Sequence, residues 1–240
     1  MREEEARGEG VYGRYNRSAE SGDFSIIESD AMTDDEYAGT YAANLQAHLR
    51  RARVPTSGRI VDVGCAFGHI TNAIHLVFGT SVEAYGIDLS HTSTAAAQKR
   101  YPDCRFTAGS ADELCGFADH SIDLIHAREF YPFTRTNDVG LHRRFLRCFA
   151  RKLKPGAAAC VIQTIDRADL ADTLGTLRKE SRELGYAAME QRVVTPYRLY
   201  RHAGDLSYSP VFYPLVSLAG LALEFVRPGA VSYMYVFCLA

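Results

Sequence analysis

The chain has 240 residues, of which 47% are hydrophobic, 23% charged and 11% aromatic, and this composition excludes collagen-like and low-complexity proteins. The 27 lysines and arginines nearly balance the 29 aspartates and glutamates, giving a formal net charge of -2. The chain therefore lacks the overall positive charge that attracts proteins to nucleic acid. We expect one globular domain with additions and no nucleic-acid partner.

The N-terminus and the cysteines indicate a cytoplasmic protein. Residues 1–7 are acidic, where an export signal would be basic and then apolar. No apolar run reaches the roughly 18 residues of a membrane-spanning helix. The six cysteines are widely spaced without a Cys-x-x-Cys pair, which favours reduced thiols over a zinc site or disulfides. We expect no bound metal and no membrane partner.

The N-terminal segment, 1–57, predicts an arm followed by a helix. Residues 1–32 are rich in Glu, Gly, Arg and Ser, which is typical of a loose arm or a lid. Thr33 and Glu36 have capping-box spacing, and apolar residues recur every four positions after them. We place the start of the domain, 33–240, at this helix. Tyr12 and Tyr15 of the arm are candidates for covering a bound ligand.

The middle of the chain alternates between short apolar runs and helical segments, which is the signature of a doubly wound α/β sheet. Strands are predicted at 59–63, 82–87, 104–107, 122–127 and 157–165. Helices are predicted at 69–78, 91–101 and 136–153.

The last third predicts additions to this sheet. Residues 166–209 form a predicted insertion on the substrate side, with a charged helix at about 170–184 and a basic, aromatic stretch at 192–201. An apolar helix is predicted at 213–221. The apolar runs 223–226 and 232–239 predict an antiparallel pair that closes the sheet.

The most informative stretch is Asp62-x-Gly64-x-Ala66-x-Gly68, which follows the first strand and precedes a helix. In an open α/β sheet such a turn lies at the carboxyl edge, where glycines let a cofactor approach the backbone. Asp88 ends the neighbouring strand, at the separation from the glycine turn that is usual for a ribose-binding acid. A carboxylate there can accept both hydroxyl protons of a ribose.

Two cofactor classes use this arrangement. A dinucleotide fingerprint requires a third glycine where this chain has His69, so a nicotinamide-dependent oxidoreductase fits less well. The alternative pattern, acid-x-Gly-x-Gly-x-Gly, suits an adenosine with an amino-acid tail. A non-catalytic protein that senses the cofactor is the third reading.

With Gly109-Ser110-Ala111-Asp112 and the strand at 119–127, the chain resembles the class I S-adenosylmethionine-dependent methyltransferases, in their small-molecule branch, over about 41–166. The resemblance implies a Rossmann-like seven-stranded sheet with an antiparallel C-terminal strand pair, and S-adenosylmethionine as cofactor. The implied cofactor-binding residues are Asp62, Gly64, Ala66, Gly68, Asp88, Leu89, Ser110, Ala111 and Asp112. Ser110 replaces the family's usual acid, so either Ser110 or Asp112 would contact the adenine.

Candidate catalytic residues follow or end the fourth strand. Glu129 can hold a proton of the methyl acceptor, and Arg128 can pair with a carboxylate. His126 lies within the strand. Two interpretations of this residue are open: a catalytic base and a packed structural histidine. Arg192, Arg198 and Tyr197 of the insertion favour a small, anionic or aromatic acceptor. The oligomeric state stays open.

Overall fold

Seven strands form one sheet in a computed structural model that describes residues 33–130, 133, 138–164, 177–226 and 232–240. The strands are β1 (Gly58–Val63), β2 (Val82–Asp88), β3 (Arg105–Ala108), β4 (Ile122–Arg128), β5 (Leu153–Thr164), β6 (Tyr186–Val193) and β7 (Ser232–Leu239). Their spatial order is β3-β2-β1-β4-β5-β7-β6. The predicted doubly wound, seven-stranded α/β sheet is therefore confirmed.

Helices cover the sheet and join its strands. They are α1 (Asp34–Arg51), α2 (His69–Phe78), α3 (His91–Arg100), α4 (Val139–Lys152), α5 (Tyr197–Ala203) and α6 (Phe212–Val226), and a 3-10 turn occupies Gly204–Tyr208. Residues 177–183 are also helical. The predicted capping box at α1 is present: Glu36 N donates to Thr33 Oγ1 at 3.2 Å, and Thr33 N donates to Glu36 Oε2 at 2.8 Å.

Strand direction places one connection at the functional edge. Strands β1 to β5 pair in parallel along the order β3-β2-β1-β4-β5, whereas β7 is antiparallel to both β5 and β6. Strand β6 consequently runs in the same direction as β5. Residues 194–231 therefore leave β6 and enter β7 at the carboxyl edge, where the ligands of open α/β sheets bind.

One predicted strand was wrong. Residues 223–226 belong to α6. The strand that pairs with β7 on the side away from β5 is Tyr186–Val193, which lies inside the predicted insertion 166–209. A four-residue apolar run does not distinguish a buried strand from the end of an apolar helix. The domain boundaries remain predictions, since the arm 1–32, with Tyr12 and Tyr15, and residues 165–176 lie outside the described residues.

The core consists of two apolar clusters separated by the sheet. Val61 and Ile87 belong to one cluster, whereas Ile60, Ala84 and helix α1 belong to the other, because successive strand residues point to opposite faces. Within the described residues, the helices lack the length and hydropathy needed to cross a bilayer.

His48 gives the fold an acid-sensitive contact. Burial, reinforced by Arg192 and Arg51, lowers the pKa of His48 from 6.5 to about 3, while Nδ1 lies 3.2 Å from the Tyr208 hydroxyl. The unfolded chain binds the proton first as the pH falls below 6.5. Stability is therefore complete above pH 6.5 and is lost towards pH 3, by about 1.4 kcal/mol for each pH unit from this residue.

We expect urea unfolding of the wild type to lose about 1 kcal/mol between pH 6.5 and 5.5 through His48. His48→Gln is expected to reduce this difference, and His91→Gln, which alters an exposed histidine, serves as the control. An equal pH dependence in wild type and His48→Gln would contradict the assignment.

Candidate active site

The glycine turn after β1 is held against the end of β2. Gly64 N and Cys65 N both donate to the carbonyl oxygen of Ile87, at 2.8 and 3.1 Å. Gly64 and Gly68 have φ of +75° and +79°, and Ala66 has φ of +45°. These three residues with left-handed φ form the tight turn. Only Ala66 is strained, because glycine adopts positive φ without a steric penalty.

Asp88 is linked to this turn through its side chain. Asp88 Oδ2 accepts a hydrogen bond from Ala66 N at 3.0 Å, and Oδ1 accepts one from Ser90 N at 2.9 Å. Burial raises the pKa of Asp88 above its usual value. The backbone N–H of Leu89 also hydrogen-bonds to this carboxylate. An ionised carboxylate has about four acceptor positions, so Asp88 retains capacity for a hydroxyl of a bound ligand beside its three backbone donors.

The segment after β3 lies beside Asp88. Gly109 N donates to the Asp88 carbonyl oxygen at 2.9 Å. The Ser110 hydroxyl donates to Asp112, whose other oxygen lies 3.1 Å from Arg144 Nε. Ala111 is buried, whereas the Leu89 side chain, next to Asp88, is 55% exposed. The structure thus brings these predicted residues to one edge, with Ser110 and Asp112 acting as a bonded pair.

Asp62, the acid of the turn motif, is buried within a chain of hydrogen bonds. Asp62 Oδ2 accepts from Thr71 Oγ1 at 2.6 Å, and Asp62 Oδ1 lies 2.7 Å from His126 Nδ1. His126 Nε2 lies 2.8 Å from the Tyr41 hydroxyl. A carboxylate oxygen accepts hydrogen bonds, so Nδ1–H of His126 donates to Asp62 and Nε2 accepts from the Tyr41 hydroxyl. This hydroxyl keeps its proton because burial raises the pKa of Tyr41 well above its usual value.

This chain of bonds defines the position of His126. The residue is 0% exposed, and both of its ring nitrogens bond to protein atoms. Any part that His126 takes in chemistry consequently passes through Asp62 or Tyr41. The sequence singled out His126 but gave no signal for Tyr41 or Thr71, because spacing along a helix does not reveal contacts with distant segments.

Arg128 and Glu129 end β4 at the same edge. The Arg128 guanidinium lies 5.4 and 5.1 Å from the ring centres of Tyr37 and Tyr41 and donates to the Tyr37 hydroxyl at 2.6 Å. Tyr37 in turn stacks on Tyr197 at 5.2 Å. Glu129 has φ of +46°. Strained backbone of this kind concentrates at functional sites.

The structure places the insertion residues that were predicted to contact the methyl acceptor in different surroundings. Tyr197 opens α5 and reaches the Arg128 cluster through Tyr37. Arg192 lies in β6 and pairs with Glu190 at 2.5 Å, and Arg198 is exposed on α5. Across the part of the chain that the structure describes, no cluster of three His, Cys, Asp or Glu side chains has metal-binding geometry.

His69 occupies the position that a dinucleotide fingerprint gives to its third glycine. Its buried ring lies 2.7 Å from the Tyr101 hydroxyl and 3.4 Å from Asp35. A glycine there allows close approach of helix and strand, whereas His69 carries a buried side chain that bonds to Tyr101. The geometry therefore favours the adenosine-type reading of the turn over the dinucleotide reading.

The strand order and the turn that faces an acid on β2 define the fold class, a Rossmann-like sheet with an antiparallel last strand. Residues 60–156 match a family model described as a methyltransferase domain. Over these residues, which are less than half of the chain, the protein is similar to methyltransferases.

Curated relatives match the chain over part of their length. A demethylmenaquinone methyltransferase of Chlorobaculum parvum is 30% identical over 118 residues, which are 48% of this chain and 46% of that protein. A protein of the same name from Chlorobaculum tepidum is 28% identical over 130 residues. The chain spans about half the length of these curated relatives.

Solved structures support the fold across more of the chain. A Haloferax volcanii protein in complex with the Trm112 methyltransferase activator aligns over 94% of this chain and 97% of its own, with a TM-score of 0.57 and 18% identity. Geranyl diphosphate C-methyltransferase of Streptomyces coelicolor aligns over 82% of this chain and 76% of its own, with a TM-score of 0.55 and 13% identity.

Proposed function

We propose that the chain is an S-adenosylmethionine-dependent methyltransferase that acts on a small-molecule acceptor. The observation that carries the proposal is the bond from Ala66 N to Asp88 Oδ2 at 3.0 Å, which joins the glycine turn to the acid at the end of β2. The names of the relatives, which include demethylmenaquinone and geranyl diphosphate methyltransferases, support a small-molecule acceptor.

The residues at this edge fit the proposed cofactor chemically. The exposed side chain of Leu89 offers an apolar surface to an adenine ring, and Asp88 offers an acceptor to a ribose hydroxyl. Ser110 and Asp112 provide polar atoms for the adenine edge. At Gly64 an added Cβ would lie 3.1 Å from the Phe130 ring, so glycine keeps this approach open. Bound there, S-adenosylmethionine would supply a methyl group on a sulfonium.

The chain's own groups would align the acceptor and hold its proton. Methyl transfer to a nucleophile is an in-line displacement, for which orientation and a nearby base are the main requirements. Glu129 is the proposed base, since it is partly exposed at the end of β4. Arg128, whose positive charge lies over the rings of Tyr37 and Tyr41, is the proposed partner of an anionic group on the acceptor.

His126 and Asp62 have a different proposed part. Because both lie buried and bonded to each other, they would position the start of the turn and the end of β4 relative to α1. Asp62 would then act on the methionine part of the cofactor through the backbone of the turn. His126 is accordingly a positioning residue in this proposal.

Calorimetric titration with S-adenosylhomocysteine tests the cofactor assignment. We expect binding by the wild type, and Asp88→Ala is expected to weaken it about 5- to 150-fold, which corresponds to the loss of about 1–3 kcal/mol for a charged acceptor. Glu83→Gln is the matched control, since Glu83 is an exposed acid on the same strand that bonds to Tyr85. Equal affinity of wild type and Asp88→Ala would refute the ribose contact.

Two measurements separate the competing functions. Incubation of a metabolite extract with isotopically labelled S-adenosylmethionine gives a labelled product from an enzyme and none from a cofactor sensor. Titration with NADH detects an oxidoreductase. Binding of NADH without binding of S-adenosylhomocysteine would overturn the proposed function.

A further inference from the structure

Helix α6 exposes an unusual amount of apolar surface. Only Tyr213 and Gly220 are buried among its described side chains, and Tyr213 attaches the helix to the sheet through its bond to the Val193 carbonyl oxygen at 2.8 Å. The exposed large apolar residues of the helix and the residue before it form the surface that we call the α6 face. They are Val211, Phe212, Leu215, Leu218, Leu221, Leu223, Phe225 and Val226, each 42–91% exposed.

Contiguous apolar surface of this kind marks an interaction site in a soluble protein. The helix is about 22 Å long at 1.5 Å per residue. Scattered exposed leucines are ordinary, but here large apolar side chains follow one another closely from Val211 to Val226. The α6 face is therefore a candidate interaction surface.

The shape of the α6 face favours a fluid partner. Exposed residues occur at successive positions 221–223 and 225–226, and neighbours on a helix point about 100° apart. The exposed surface consequently extends around much of the helix instead of lying along one flat side. A helix that lies in a bilayer surface buries its apolar side about 5–10 Å deep, at the boundary between headgroups and acyl chains, and this depth covers the side of α6 that is turned away from the sheet.

Charge near the α6 face indicates which membrane surface would bind. Arg51 of α1 packs over the Tyr213 ring at 4.4 Å, so the end of α1 lies against the start of α6. Exposed basic side chains are carried by this end of α1 and by α5: Arg50, Arg53, Arg198, Arg201 and His202. Acids near these elements are fewer and are mostly paired. Glu190, which lines a cavity with Ser217 and Leu221 of α6, pairs with Arg192, and Asp205 accepts a hydrogen bond from Tyr200 at 2.8 Å. Glu36 interacts with Arg201.

The position of α6 links this surface to the candidate active site. Both ends of 194–231 join strands at the carboxyl edge, and Tyr197 at the start of α5 stacks on Tyr37, the partner of Arg128. A bilayer bound at α6 would therefore lie beside the element that borders the proposed acceptor site.

We propose that the α6 face is a membrane-docking surface that inserts shallowly into a bilayer containing anionic lipids. Apolar burial of α6 supplies the attraction, and the arginines of α1 and α5 add an electrostatic part that salt weakens. This proposal departs from the expectation, drawn from the sequence, of no membrane partner. It does not depend on the proposed methyl transfer.

Cosedimentation with vesicles tests the proposal. We expect the full chain to bind vesicles of phosphatidylcholine mixed two to one with phosphatidylglycerol more tightly than phosphatidylcholine alone, and less tightly in concentrated salt. The double variant Leu215→Glu/Leu218→Glu is expected to lower the partition coefficient at least about tenfold, because it removes two apolar side chains from the inserted face. Leu76→Glu, at an equally exposed leucine of α2 that is 68% exposed, should bind like the wild type.

Defined results would overturn the proposal. These are no vesicle binding by the wild type, or binding by the double variant that equals the wild type. Loss of binding in Leu76→Glu as well would also count against it. A wild-type dimer by light scattering that the double variant makes monomeric, without vesicle binding, would identify the partner as a second copy. Circular dichroism checks folding, and titration with S-adenosylhomocysteine keeps the outcome separate from that of the proposed function.

Discussion

Replacing His126 by alanine is expected to lower the free energy of unfolding by about 2–5 kcal/mol, because it leaves the buried Asp62 carboxylate without one donor, at about 1–3 kcal/mol, and opens a cavity in the core. The Asp62 carboxylate would lose the donor at 2.7 Å, and the Tyr41 hydroxyl would lose its acceptor at 2.8 Å. The site is closed to solvent, since His126 is 0% exposed, so water does not readily replace the imidazole. Urea unfolding at pH 7.5 measures the loss.

Two further variants separate the parts of this effect. Tyr41→Phe removes only the hydroxyl and should cost about 1–2 kcal/mol. His91→Ala, at the exposed start of α3, should stay within about 0.5 kcal/mol of the wild type. A loss below about 1 kcal/mol for His126→Ala would show that the buried chain of hydrogen bonds contributes little to stability.

Gly68→Ala is expected to lower the free energy of unfolding by about 2–4 kcal/mol. Two costs add: the left-handed φ of +79°, at about 1 kcal/mol for a residue with a side chain, and overpacking, at about 1–3 kcal/mol. The added Cβ would lie 2.6 Å from Phe106 Cζ and 2.9 Å from Ala97 Cβ. Thermal and urea unfolding report the change.

Gly185→Ala separates the backbone cost from the steric one. Gly185 lies in the turn after the helical residues 177–183 and has φ of +88°, and an added Cβ there meets nothing within 4 Å, so this variant carries the conformational cost alone. We expect Gly68→Ala to lose at least about 1 kcal/mol more than Gly185→Ala. Equal losses would show that Phe106 and α3 move aside without penalty.

Local sequence patterns predicted the elements from β1 to β2 well. The strand at Gly58–Val63, the helix at His69–Phe78 and the acid at the end of β2 each lie where spacing placed them. Parallel strands with alternating helices are buried and strongly periodic, so their patterns stand out in a sequence. The turn motif is contiguous, which is why its residues could be named without a structure.

The C-terminal part was harder because its signals are weak or ambiguous. Strand β6 contains Glu190, Gln191 and Arg192 at the edge of the sheet, and such a strand lacks the apolar run of a central one. Helix α6 is apolar around most of its surface, so its last four residues lack a helical pattern and were predicted to form a strand. Side-chain partners from distant segments, such as Tyr41 with His126, leave no trace in local spacing.

The direction of β6 divides the protein into parts with different freedom to diverge. The proposed cofactor site is built from residues 62–112 along β1 to β3, and any change there must preserve packing between neighbouring strands. Residues 194–231 begin and end at one edge, so they can lengthen or change composition without altering strand order. The matched region, 60–156, contains the proposed cofactor site and excludes the segment between β6 and β7, which carries the proposed membrane-docking surface.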